Sequence, residues 1–413
     1  MKKNFLLLIL GSILEYYDFA IYIFFAKNIG ADLIPVHDKT INMIATFSIF
    51  AIGALIRPLG GIIFAHYGDK NGRKGCFSYS ILLMAICTFA IALIPNYHLI
   101  GLGATILLLS LRALQGAAVG GEIPAAMIFA YEISAGKKRA LNVNIVMAGT
   151  NLGLFFASCI CGYLLNHFSS QLIAPWRIAF IIGGVFGIIS YFLRKNLNET
   201  PEFKKIMDLK QQTLPLKEVV TKHKPQLYQM LAFTSFIAAL VATFTAIMPN
   251  YLMAYKAISQ SDSLQLTSYS LMIFTASALL AGKFDWLFNK YYLVISTLVF
   301  DILIIWLFFI FDYADFTILK YIYFIILGYI GIICGRLPVI ISSYFPTKVR
   351  YSGVALSYNI PFGVIAGLSP MVIFALIKST NYLWVPAIYL ILFSVPALWF
   401  LINIKSKQLY SYY

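Results

Sequence analysis

Apolar residues along this chain gather in long unbroken runs, without the one-face-in, one-face-out alternation of a water-soluble helix or strand. The runs lie near 5–26, 41–64, 76–94, 99–130, 140–166, 176–193, 227–254, 264–282, 291–311, 317–342, 353–377 and 383–403. Each is about 20 residues or longer, which as helix crosses the ~30 Å hydrocarbon layer of a bilayer. Twelve of them, joined by short polar connections, predict an all-α integral membrane protein with 12 transmembrane helices in two six-helix bundles. The one long polar joint, 194–226, holds eight Lys and Arg together with Pro201, Pro215 and Pro225. It predicts an N-terminal bundle over 1–193, a linker over 194–226 and a C-terminal bundle over 227–413.

Composition strengthens this picture. Of 413 residues, 61% are apolar and 11% charged, and the mean hydropathy is +0.83, more than a water-soluble fold can bury. The net charge of +15 would suit nucleic acid if it were clustered on one surface. Instead, with the N-terminus placed inside, 22 of the 31 Lys and Arg fall in inner segments and only Lys27, Lys39, Lys256, Lys320 and Lys378 in outer ones. That is the positive-inside bias. It predicts cytoplasmic termini in a bacterial inner membrane, with the lipid bilayer, not nucleic acid, as the macroscopic partner. The first ten residues imitate a signal peptide, but Glu15 and Asp18 interrupt the apolar run and no small-residue cleavage site follows, so a retained first helix is expected. Five scattered cysteines suggest neither a disulfide framework nor a metal site. No G-x-S-x-G, H-E-x-x-H or phosphate-loop pattern occurs, and the expectation is a protein that is no enzyme and needs no cofactor.

Charged groups inside a bilayer cost about 2.5–3.5 kcal/mol each on insertion scales, so those present are paired or functional. Glu15 and Asp18 in the first run share a helical face with Tyr22, and a carboxyl at that depth can exchange a proton as its surroundings change. A permanent interhelical salt bridge would place the same residues there. Arg57, in the second run ahead of Pro58, Gly60 and Gly61, offers a planar fork for a substrate carboxylate, or a brace against Glu122 or Asp18. Glu122, ten residues after Arg112, suits a gate or a proton path. In the C-terminal half Asp301 and Arg336 could pair with each other, while Arg336, Tyr251, Tyr358 and Asn359 are candidate solute contacts, as are Tyr22 and Gln115.

Several separated motifs carry a family likeness. Gly68-Asp69-Lys70-Asn71-Gly72-Arg73-Lys74 lies between the second and third runs, Arg57-Pro58-Leu59-Gly60-Gly61 before it, and Arg112-Ala113-Leu114-Gln115-Gly116 with Gly120-Gly121-Glu122 after it. Glu15-Tyr16-Tyr17-Asp18-Phe19 stands near the start, and Phe345-Pro346-Thr347-Lys348-Val349-Arg350 and Ser357-Tyr358-Asn359-Ile360 follow in the second half. Together these resemble the major facilitator superfamily, and within it the metabolite:proton symporters, permeases for proline and betaine, 2-oxoglutarate, citrate or shikimate. The resemblance implies a two-bundle carrier with Arg112 in proton movement alongside Glu15, Asp18 and Glu122, and a gate in which Asp69, Arg73 and Lys74 latch onto the ends of neighbouring helices, Glu132 among them. It points to a monomer importing a small organic acid or zwitterion together with a proton. The alternative is an exporter of a metabolite or a carboxylate siderophore on the same frame.

Overall fold

The structure, a computed structural model, describes residues 2–36, 38–71, 73–134, 138–168, 173–195, 215–256, 258–284, 290–310, 313, 315–346 and 349–403, with the side chains of 2–5, 39, 65–71, 73, 74, 76, 77, 193, 194, 215, 290 and 316 outside that description. Among the described residues every regular element is helical. The apolar segments are α1 (Leu6–Phe24), α2 (Thr40–Phe64), α3 (Ser78–Ala92), α4 (Leu102–Glu132), α5 (Arg139–His167), α6 (Pro175–Phe192), α7 (Lys224–Tyr255), α8 (Gln260–Lys283), α9 (Tyr291–Ile310), α10 (Thr317–Tyr344), α11 (Arg350–Thr380) and α12 (Val385–Asn403). Eleven are long and apolar enough to cross a membrane, and α3, the apolar part of helix Arg73–Ala92, is shorter. The twelve correspond one to one with the twelve runs.

Four of the twelve helices are interrupted. In α4 the helix stops at Val119 and resumes at Glu122; in α10 it stops at Cys334 and resumes at Leu337. A π-helical turn occupies Thr243–Ile247 in α7 and another Pro361–Ala366 in α11. Each irregularity lies within four residues before a proline: Pro124, Pro338, Pro249 and Pro370. A proline ring clashes with the carbonyl four residues earlier and brings no N–H, so the preceding turn is forced open. The segment expected as a charged loop at 68–74 is nearly all helix, Lys39–Asn71 running to within one residue of Arg73. The linker expected at 194–226 ends in a helix, Pro215–Lys222; Thr200, whose place before Pro201 suits the cap of a short helix, lies outside the described residues.

Within the first six segments α1 packs on α5 and α6, α2 on α4, and α3 on α4 and α6; within the second six α7 packs on α11 and α12, α8 on α10, and α9 on α10 and α12. Without water to squeeze out between helices, close backbone approach carries much of the association. The Gly149/Gly153 spacing does this: a Cβ at Gly153 would collide with the Ile13 carbonyl of α1. The two bundles meet along α5 with α8 and α2 with α11. At the first seam Asn144 Nδ2 donates to the Ala278 carbonyl at 2.8 Å, and the Ser158 and Ser268 hydroxyls lie 2.6 Å apart. At the second, Phe47 stacks on Phe374 with ring centres 6.0 Å apart.

Candidate functional site

Between the bundles lies a small cavity of about 50 Å³. Its lining comes from α1 (Glu15, Tyr16, Asp18, Phe19), α2 (Phe50, Gly53, Ala54, Arg57) and α4 (Arg112, Gln115, Gly116, Val119), with Phe362 on the π-turn of α11 the one contribution from the second bundle. Helical periodicity explains the convergence on α1, where Glu15, Asp18, Phe19 and Tyr22 stand three to four residues apart on one face. At 1.5 Å per residue, Glu15 lies about 13 Å along α1 from Leu6 and Arg57 about 10 Å along α2 from Phe64, so the two meet at similar depth.

They form one half of the polar site. Arg57 Nη2 lies 3.7 Å from Glu15 Oε1, both side chains nearly fully buried. The Arg57 Nε donates to Asn359 Oδ1 at 3.0 Å, and Asn359 Nδ2 donates in turn to the Gly120 carbonyl at 2.6 Å, at the break in α4. The guanidinium sits 5.5 Å from the centre of the Tyr358 ring, whose hydroxyl lies 3.0 Å from that of Tyr16. The expected brace of Arg57 against Asp18 or Glu122 is replaced by Glu15 and Asn359, because Asp18, a turn further along α1, is held from another side.

That second half centres on Arg112, whose guanidinium lies 4.0 Å above the Tyr22 ring and 5.4 Å from that of Phe50. Arg112 Nη1 donates to Gln115 Oε1 at 2.8 Å, and Gln115 Nε2 donates to Asp18 Oδ2 at 2.9 Å and to Thr88 Oγ1 at 2.8 Å. Thr88 Oγ1 lies 2.6 Å from Asp18 Oδ1. Arg112 and Asp18 are thus joined through the Gln115 amide, and Arg112 Nε, buried, makes no hydrogen bond. Tyr22 is occupied differently from a solute contact: its hydroxyl donates to the Thr46 carbonyl at 3.0 Å.

The remaining candidates lie elsewhere. Tyr251 is outside the cavity lining, with its hydroxyl on the Leu383 carbonyl at 2.7 Å. Arg336 and Glu122 are buried at the breaks of α10 and α4, also outside the lining. Asp301 takes a hydrogen bond from Ser394 of α12 at 2.9 Å, in place of the expected pairing with Arg336. Glu132, at the end of α4, lies 3.6 Å from Arg350 at the start of α11; the side chains of Asp69, Arg73 and Lys74 fall outside the described ones. Sequence reasoning missed Thr88, Phe50 and Phe362. Neither aromatic stands out in a chain with 34 phenylalanines, and only a polar residue within an apolar run could have flagged Thr88. Among the described residues no cluster of three or more His, Cys, Asp or Glu could hold a metal.

Comparison with known proteins places this geometry. The family model described as Major Facilitator Superfamily matches residues 8–370. A putative proline/betaine transporter of Staphylococcus haemolyticus is 32% identical over 94% of this chain and 84% of its own length. The proline/betaine transporter of Salmonella typhimurium is 31% identical over 94% and 80%. A glycine betaine/proline/ectoine/pipecolic acid transporter of Dickeya dadantii is 30% identical over the same shares. Among solved structures, a D-xylose-proton symporter superposes with a TM-score of 0.76 at 15% identity, covering 98% of both chains.

Proposed function

The chain belongs to the major facilitator superfamily, a secondary transporter and not an enzyme, and from that premise we propose that it imports a small zwitterion of the proline or betaine kind in symport with a proton. The observation that carries the reading is the cavity's charge pattern. Two acids, Glu15 and Asp18, and two arginines, Arg57 and Arg112, converge between aromatic rings, so the formal charges cancel. A solute that is itself neutral overall but carries both signs suits such a site better than an anion or cation. The names of the relatives, proline/betaine transporters, support the same class.

Coupling follows from the Glu15–Arg57 contact. A proton on Glu15 removes the negative charge beside Arg57, whose fork is then available to a substrate carboxylate through two parallel hydrogen bonds. Aromatic faces at Phe19, Phe50 and Phe362 suit the weakly hydrated cationic end. Proton and solute therefore favour each other's binding. With the solute neutral, each cycle moves one positive charge, worth ~2.3 kcal/mol per 100 mV. The bundles rock about the site, with Glu132, Arg350 and the helix-end residues Asp69, Arg73 and Lys74 closing the side that bears the N-terminus. We place that side in the cytoplasm and the protein as a monomer in the bacterial inner membrane, with one bundle over 1–193, the linker over 194–226 and the other bundle over 227–413.

The test is uptake of radiolabelled glycine betaine and of proline into proteoliposomes with an acidic exterior. Accumulation above the external concentration that collapses with a protonophore is expected. Accumulation indifferent to the protonophore, or gradient-driven efflux alone, would sink proton-coupled import.

A further inference from the structure

We propose that Thr88 on α3 is a positioning residue for proton coupling, its hydroxyl turning from Asp18 to the Met84 carbonyl when Asp18 takes up a proton. The inference rests on Asp18 joining Glu15 in proton movement, the role that the sequence resemblance implies for it, and it comes from the hydrogens and lone pairs around one oxygen. Thr88 is buried, and its Oγ1 lies 2.6 Å from Asp18 Oδ1, 2.8 Å from the Met84 carbonyl oxygen and 2.8 Å from Gln115 Nε2. A hydroxyl has one hydrogen and two lone pairs. Both Asp18 and Met84 are acceptors while the carboxyl is ionised, so the single hydrogen serves only one of them at a time. Gln115 Nε2 donates to Thr88 and to Asp18 Oδ2, at 2.9 Å, with its two hydrogens, and it is fixed in that orientation because its Oε1 accepts from Arg112.

The two protonation states of Asp18 then have distinct, complete hydrogen-bond sets. With Asp18 ionised, Thr88 donates to Oδ1 and accepts from Gln115. When a proton from the cavity water adds to Oδ1, that oxygen becomes a donor; Thr88 swings its hydrogen to Met84 and accepts from Asp18 and Gln115 on its two lone pairs. No heavy atom needs to move and the Gln115 amide need not flip, so Arg112 keeps its bond. The proton comes from water and leaves to water, and no other atom changes partner. Other ionisable groups act on Asp18 in both states: Arg112 from α4, Cys87 from α3 and Tyr17 on α1 itself; Glu15, three residues away on α1, faces Arg57 of α2 instead. Cys161 of α5 faces Tyr17. None of these can serve as donor in one state and acceptor in the other at hydrogen-bond distance, as the Thr88 hydroxyl does.

Removing that hydroxyl costs the ionised state a charge-assisted hydrogen bond and the neutral state an ordinary one, and the former is the stronger. Thr88→Val, which keeps the shape, should shift the titration of Asp18 to higher pH by about one unit. Thr88→Ser, which keeps the hydroxyl, should stay with the wild type. The readout is infrared difference spectroscopy of purified protein, with the carboxyl band assigned to Asp18 by its loss in Asp18→Asn. This needs no substrate. The upward shift in Thr88→Val together with recovery in Thr88→Ser supports the inference. A Thr88→Val midpoint equal to wild type, a Thr88→Ser midpoint shifted as far as Thr88→Val, or no band lost in Asp18→Asn overturns it. A Thr88→Val protein too unstable to titrate is replaced by Thr88→Ala, judged by the same outcomes. If the wild type moves neither glycine betaine nor proline under a pH gradient while Thr88→Val shows the infrared shift, the zwitterion reading is rejected and Thr88 stays in place.

Discussion

At the scale of single residues, the site divides its work between two arginines with unlike surroundings. Arg57 has an acid, an amide and a ring around it, whereas Arg112 has two rings and an amide. Glu15→Gln and Asp18→Asn remove the groups that can carry the proton. Each should abolish gradient-driven accumulation while counterflow exchange of solute between equilibrated compartments persists, and full accumulation in both variants would exclude these acids. Arg57→Lys keeps the charge but loses the planar fork. If Arg57 grips the substrate carboxylate, affinity should fall about tenfold or more, the worth of one charge-assisted hydrogen bond at ~1.5–3 kcal/mol; ligand-induced thermal shift measures this, and unchanged affinity would make Arg57 a brace. These residues were legible in the sequence because a charge inside an apolar run is rare. Their partners were not: Arg57 meets Asn359 across 302 positions, and Thr88 became interesting only when folding brought Asp18 and Gln115 to it.

At the scale of elements, the number and order of helices followed from run length alone, since a bilayer of fixed thickness sets both. The interruptions were harder to read. Pro58 and Pro396 sit inside continuous helices, while Pro124, Pro249, Pro338 and Pro370 accompany breaks or π-turns, so proline alone does not decide the outcome; the packing around each one does. Two of the irregular sites bear on function, because the break in α4 exposes the Gly120 carbonyl to Asn359 and the π-turn in α11 carries Phe362 into the cavity. Close helix contact is a firmer guide. A Cβ on Gly116 would run into the Gly53 carbonyl of α2, so Gly116→Val should force α2 and α4 apart, at a cost of about 1–3 kcal/mol, the usual range for overpacking. A lower thermal unfolding midpoint in detergent, with Gly116→Ala intermediate, is the expected result; a midpoint equal to wild type would mean that this contact is loose.

At the scale of the whole molecule, the bundles are clasped at both ends of the α2/α11 seam and around it. On the side that bears the N-terminus, Glu132 of α4 lies 3.6 Å from Arg350 of α11, the Arg350 guanidinium lies over Tyr131, and Tyr351 donates to the Gly121 carbonyl. On the far side, Lys378 of α11 lies 3.5 Å from Asp38, just before α2, both well exposed. The Asp38 carboxyl is held below the usual carboxylate range, first by the Ile41 N–H and then by Lys378. A depressed carboxyl contributes above its unfolded-state pKa and loses that contribution as pH falls through the folded value, so this clasp is intact at neutral pH and opens only in acid. Exposed pairs contribute little, and the more sheltered Glu132–Arg350 pair should weigh more. In a carrier whose states lie within a few kcal/mol, Arg350→Gln should shift the population toward opening on the N-terminal side, and Lys378→Gln toward opening on the far side by less. Spin-label distances across each end of the seam, taken without substrate, separate the two effects. Shifts of the same sign in both variants would mean that these pairs hold the bundles together without choosing which side opens.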